Sequence, residues 1–108
     1  MEFRFAHRQL EDLYVDGKGY HQWPPEVLKA FSRVMSQIVA ATDERYFYLL
    51  KGLHYEKLSG DRASKRSLRL NRQWRLIVTL ERDSEEEGGS SYLLIHAREL
   101  QKSEGEKD

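Results

Sequence analysis

The sequence contains no cysteine, which excludes a disulfide framework and any thiolate metal site. It has no run of about 18 apolar residues, so no membrane-spanning helix is expected. Its first residues, Met1-Glu2-Phe3-Arg4-Phe5, lack the charged-then-apolar order of a secretory signal. Together these absences give the expectation of a cytoplasmic protein with no membrane partner. Nor is there an excess of charge of either sign, since 18 Lys and Arg balance 18 Asp and Glu. At 108 residues the chain has room for one core and one domain, and no internal repeat divides it.

What the chain does have is charge, at one residue in three, and that charge is segregated. From Lys51 to Arg82 nine basic residues stand against three acidic ones, a local excess of +6. The counterweight falls largely in residues 83–87 and in the last ten. A neutral total therefore conceals an electrostatic footprint of the kind that polyanions select. The plainer reading, a solvated charged sheet face, stays open on composition alone.

Short alternation around Phe3 and Phe5 predicts a first strand over residues 2–6. Leu10, Leu13 and Tyr14 mark one side of a short helix over 8–15, ended by Asp16-Gly17-Lys18-Gly19. Trp23-Pro24-Pro25 starts the main helix, because proline in a first turn forfeits no hydrogen bond. Val27, Leu28, Phe31, Val34, Met35, Ile38 and Val39 recur at three- and four-residue spacing and form its buried face. Residues 42–52 read as a loop or short helix whose aromatics close the core or, alternatively, stack on bases. Strands are then expected over 53–58, 65–70, 74–82 and 92–96. The turns between them are Ser59-Gly60-Asp61-Arg62, Asn71-Arg72-Gln73 and a hairpin tip at 85–89. The fold class is α+β: two N-terminal helices packed on a small antiparallel sheet. One domain spans 1–100, and 101–108 is a charged tail expected to be disordered.

Two segments carry a family resemblance: Leu58-Ser59-Gly60-Asp61-Arg62, and Ser67-Leu68-Arg69-Leu70-Asn71-Arg72-Gln73-Trp74-Arg75-Leu76. They resemble the centre of the HigB branch of the RelE/ParE toxins. The N-terminal phenylalanines, the helix pair and the Ala40-Ala41-Thr42 end of the main helix are similar to that branch too. The likeness runs over about residues 3–82 and is densest over 55–80. It implies a RelE-like fold and the toxin of a type II toxin–antitoxin system, a metal-independent, ribosome-dependent endoribonuclease acting on mRNA. No cofactor is implied. The implied partners are the ribosome, mRNA and a cognate antitoxin, a helix-turn-helix HigA-like protein. ParE relatives share the fold but inhibit gyrase, so a gyrase-directed toxin is the alternative. A degenerate toxin that only binds its antitoxin is another. Fold does not choose among these, and site residues must.

Cleavage through the ribose 2′-hydroxyl needs a base, an acid and cations around the phosphorane. The resemblance to YoeB-type relatives, whose base is a glutamate two residues before a leucine, makes Glu56 the base, with Leu58 the matching leucine. Positive surroundings keep such a carboxylate ionised. A plain ion pair with an arginine is the competing reading of Glu56. His54 is the alternative base, placed by strand alternation on the same face. Arg75 matches the family's arginine at the sheet centre, where a guanidinium grips a phosphate with two donors. Arg66 and Arg69 are expected on or near the same surface, and Arg62 and Arg72 complete the candidate RNA-binding set, with bracing of the Gly-Asp turn open for Arg62. The C-terminus departs from the family, whose HigB and YoeB members end in Asp-Tyr-His or His-Tyr. Here the run is Leu93-Leu94-Ile95-His96-Ala97-Arg98. Arg98 resembles the arginine after the last strand of RelE and is expected on the phosphate with Arg75, and His96 is either a substitute acid or a packed side chain.

Overall fold

A computed structural model describes residues 1–58, 65–83 and 91–96, together with the backbone of 101–102. Arg62, Arg98, the turn at 59–62, the tip at 85–89 and the tail beyond 102 lie outside the described residues.

The chain runs β1 (Phe3–Phe5), α1 (Arg8–Asp16), α2 (Pro25–Ala40), α3 (Arg45–Leu49), β2 (Glu56–Lys57), β3 (Lys65–Arg69), β4 (Trp74–Arg82), β5 (Ser91–Ile95) and β6 (Gln101–Lys102). Single turns of 3-10 helix at Tyr20–Gln22 and Lys51–Leu53 join the helices and lead into β2. Gly17 stops α1 with φ of 73°. Its N–H donates to the Leu13 carbonyl at 3.0 Å, satisfying an end group that would otherwise go unpaired. Pro25 opens α2 in its first turn. One face of α2 is buried at Val27, Ala30, Phe31, Val34, Met35 and Ile38. Val39, expected on that face, is instead 54% exposed, because it follows Ile38 by about 100° of helix and falls past the stripe.

The strands form one sheet in the order β1-β5-β4-β3-β2, with β6 pairing β4 at Trp74 and Arg75. β2, β3, β4 and β5 are antiparallel neighbours, whereas β1 lies parallel to β5, pairing Phe3 with Leu93 and Phe5 with Ile95. An all-antiparallel sheet is therefore corrected at this one edge. β5 follows β4 antiparallel, and β1 takes the edge left on its other side. Gln101 and Lys102, placed by the sequence reading in a disordered tail, pair as strand. The expected strand over 53–58 shrinks to Glu56–Lys57, because His54 adopts φ of 45° and breaks the extended run.

Alternation divides the sheet into two faces. Leu68, Leu76, Val78, Leu93 and Ile95 point toward the helices and join Leu10, Leu13, Val27, Phe31, Val34, Met35, Ile38 and Phe47 in the core. At roughly 25 cal/mol per Å² of apolar area removed from water, this layer is the main stabilising term of the fold. The other face carries Lys65, Ser67, Arg69, Arg75, Ile77, Thr79, Glu81, Leu94 and, continuing the register, His96. Within the 42–52 segment Phe47 enters the core, while Tyr48 and Leu49 remain exposed.

Candidate active site on the outer sheet face

Asn71 sets the position of Arg75. Its Oδ1 accepts the N–H groups of Gln73 and Trp74, each at 2.9 Å, and the Leu70 N–H closes the turn onto the Trp74 carbonyl at 2.9 Å. The hairpin so made pairs Arg69 with Arg75 and Ser67 with Ile77. On the far side β3 pairs Ser67 with Glu56. Glu56, Ser67 and Ile77 thus form one row across three strands, with Arg75 diagonal to Ser67.

Side chains follow that grid. Arg75 Nη1 donates to Glu56 Oε1 at 3.2 Å and to Ser67 Oγ at 3.1 Å. The Arg75 side chain is 25% exposed and that of Glu56 55%, so the pair sits at the surface where a substrate can reach the carboxylate. Such a pair contributes at most about 1 kcal/mol to stability, which makes packing a weak reason for its presence. Beside it, Arg69 Nη1 donates to His54 Nε2 at 3.2 Å, an arrangement that requires the neutral imidazole with its proton on Nδ1. His54 therefore does reach the Glu56 face. It does so from a left-handed residue after a 3-10 turn rather than by strand alternation. Arg69 Nε also donates to the Asn71 carbonyl at 3.2 Å, which ties this cation to the same turn. Arg72 is exposed within that turn.

Arg66 does not belong to this surface, contrary to the expectation from sequence. One residue from Ser67, it turns to the helix side. There its Nε lies 3.0 Å from Glu44 Oε2, with side chains 18% and 24% exposed. The N–H is poorly aligned for a hydrogen bond, so the contact is an ion pair. The same carboxylate oxygen accepts the Tyr55 hydroxyl at 2.5 Å. Burial, and then that bond, push the Tyr55 phenol well above tyrosine's ordinary range.

His96 lies farther from Glu56. Its N–H donates to the Ile77 carbonyl at 3.0 Å, which sets it three strand spacings, about 14 Å, from Glu56 along the row. Its Nε2 sits 3.2 Å from Thr79 Oγ1, so the ring is turned along β4 away from Arg75. Among the described residues, then, the fold gathers Glu56, Arg75, Arg69 and His54, and sets Arg66 and His96 apart. Ser67 was not among the candidates from sequence. The available signal was that strand alternation places it on one face with Lys65 and Arg69. Among the described residues no group of three or more His, Cys, Asp or Glu side chains is placed to hold a metal ion, and no helix is long and apolar enough to cross a membrane.

Residues 3–96 match the family model for the RelE-like toxin of type II toxin–antitoxin system HigB. A curated relative, Toxin HigB-1 of Vibrio cholerae serotype O1, is 31% identical over 77 residues, covering 71% of this chain and 81% of its own length. A solved structure, the YoeB/ParE toxin from Agrobacterium tumefaciens, superposes with a TM-score of 0.55 at 12% identity, covering 96% of this chain and all of that one. At that identity the likeness speaks for the fold.

Proposed function

Because the chain belongs to the RelE-like HigB toxins of type II toxin–antitoxin systems, which makes an antitoxin its partner, we propose that it is a ribosome-dependent endoribonuclease that cuts mRNA. The observation that carries this reading is the contact of a solvent-reachable carboxylate, Glu56, with Arg75 on the sheet face turned away from the helices.

Glu56 takes the proton of a ribose 2′-hydroxyl. The 2′-oxygen then attacks the adjacent phosphorus, the bond to the 5′-oxygen breaks, the leaving 5′-oxygen takes a proton from solvent water, and a 2′,3′-cyclic phosphate remains. Arg75, with its charge permanently in place, stabilises the extra negative charge on the phosphorane. Arg69 and Arg72 contact backbone phosphates, and His54 holds Arg69 in line. Arg66 takes no part, and the ring of His96 points away from the reacting atoms. The antitoxin of this reading is a helix-turn-helix protein, as in the HigB branch.

The test is induction of the wild type, Glu56→Gln and Arg75→Ala, with mapping of mRNA 5′ ends. New in-frame ends with the wild type, reduced by about 100-fold or more with either variant while ribosome binding persists, are the expected result. Toxicity without new ends would replace this reading by a protein-directed toxin of the gyrase-inhibiting kind. A chain that binds antitoxin and is not toxic would mark a degenerate member.

A further inference from the structure

Ser67 and Thr79 are the buried polar residues among the described ones, and both lie on the outer sheet face. A hydroxyl with no exposed surface needs a partner, or its burial is costly. Thr79 meets His96, and Ser67 meets Arg75. The Ser67 contact is the one inside the candidate site.

We infer that Ser67 is a positioning residue, a charge-independent anchor that keeps Arg75 in place while Glu56 changes its charge. This inference rests on the nuclease reading and adds a part to it. One nitrogen, Arg75 Nη1, is shared by two acceptors on two neighbouring strands. In the resting site the ionised Glu56 attracts the guanidinium most strongly. Once Glu56 accepts the 2′-hydroxyl proton it is neutral, and its hold on Arg75 weakens at the moment when the phosphorane needs the cation. The Ser67 hydroxyl does not titrate in this range. Fully buried on the central part of β3, it presents the same acceptor before and after proton transfer. Arg75 therefore stays registered to the sheet and does not follow the phosphate outward.

Threonine and valine at position 67 test this, because the two have nearly the same shape and share any crowding, while only threonine keeps the hydroxyl. Thermal unfolding of both variants controls for packing. Single-turnover cleavage on mRNA-programmed ribosomes should fall about tenfold or more in Ser67→Val relative to Ser67→Thr, the scale of one hydrogen bond to a charged group, with ribosome affinity equal in the two. In the isolated proteins, each carrying Glu56→Gln to mimic the neutral carboxyl, NMR of the Arg75 guanidinium should show restricted rotation with serine or threonine at position 67 and faster rotation with valine. Equal rates in the two variants, or equal guanidinium rotation in all three proteins, overturns the inference. A wild-type chain that binds ribosomes and leaves mRNA intact overturns the nuclease reading instead, and the NMR comparison then decides the Ser67–Arg75 link by itself.

Discussion

Replacing Arg66 by alanine should weaken the fold and spare the chemistry, the opposite of what a basic residue in the middle of a cationic stretch suggests. Arg66 sits 3.0 Å from Glu44 on the helix side, and both side chains are largely covered. An exposed pair contributes up to about 1 kcal/mol, and breaking a fully buried one costs about 3–5 kcal/mol. This pair lies between those limits. Glu44 keeps the Tyr55 hydroxyl as a donor after the substitution, which lowers the penalty. A loss of about 2 kcal/mol follows, and for a domain of this size each kcal/mol is worth about 4–8 °C in Tm, so Tm should drop by about 10 °C. Urea unfolding followed by circular dichroism should show a lower midpoint with an unchanged slope. Ribosome binding and cleavage, measured well below the new Tm, should match the wild type. Arg69→Ala should do the reverse. An Arg66→Ala protein with unaltered Tm and impaired ribosome binding would refute the placement of this side chain on the helix face.

Three further outcomes follow from local geometry. Tyr55 has a raised folded pKa, so its contribution is present below the unfolded value of about 10 and is lost as pH rises past it; Tyr55→Phe should flatten the alkaline decline of the urea midpoint, and identical declines would contradict the Glu44 contact. Asp43 is lowered to about 2 by the hydrogen bonds it accepts from the Arg45 side chain and backbone N–H. Its stabilising share is therefore complete above the unfolded value of about 3.9 and disappears as pH falls through about 2. A carboxyl NMR titration should find that midpoint, and one near 4 would mean that Arg45 does not hold it. Gly17→Ala meets no atom within 4 Å and is penalised by its backbone angle alone, by about 1 kcal/mol, read as a Tm about 5 °C lower; an unchanged Tm would refute a left-handed helix end there.

How far the molecule was legible in its sequence depends on the range of the interaction. Gly17 and Pro25 announce the ends of helices through their own backbone chemistry, and β3 and β4 fall within a residue of their expected bounds. Arg75 and Glu56 were legible as candidates through the family resemblance, and the structure brings them into contact. That contact itself is long-range, made by the register of three strands, and no local pattern states it. Parity does separate Arg66 from Arg69, since residues three apart on one strand face opposite ways; the density of positive charge obscures that signal. His54 defeats alternation because a non-glycine left-handed residue is costly and has no reliable sequence mark. The parallel place of β1 was likewise hidden, because Phe3 and Phe5 read the same beside any partner.

That parallel place has a consequence for the order in which the protein is built. Among the described residues β1 has one neighbour in the sheet, β5, and the two are separated by most of the chain. While a ribosome is still synthesising the molecule, Phe3 and Phe5 have no strand to join until residues 91–95 emerge. Closing so distant a pair is slow, and the early strand stays open to wrong pairings meanwhile. A chain interrupted before β5 leaves β4 with an unpaired edge and β1 with no place to go. Completion of this sheet is therefore a late event in synthesis, and a copy truncated before β5 carries the exposed strand edges that favour aggregation.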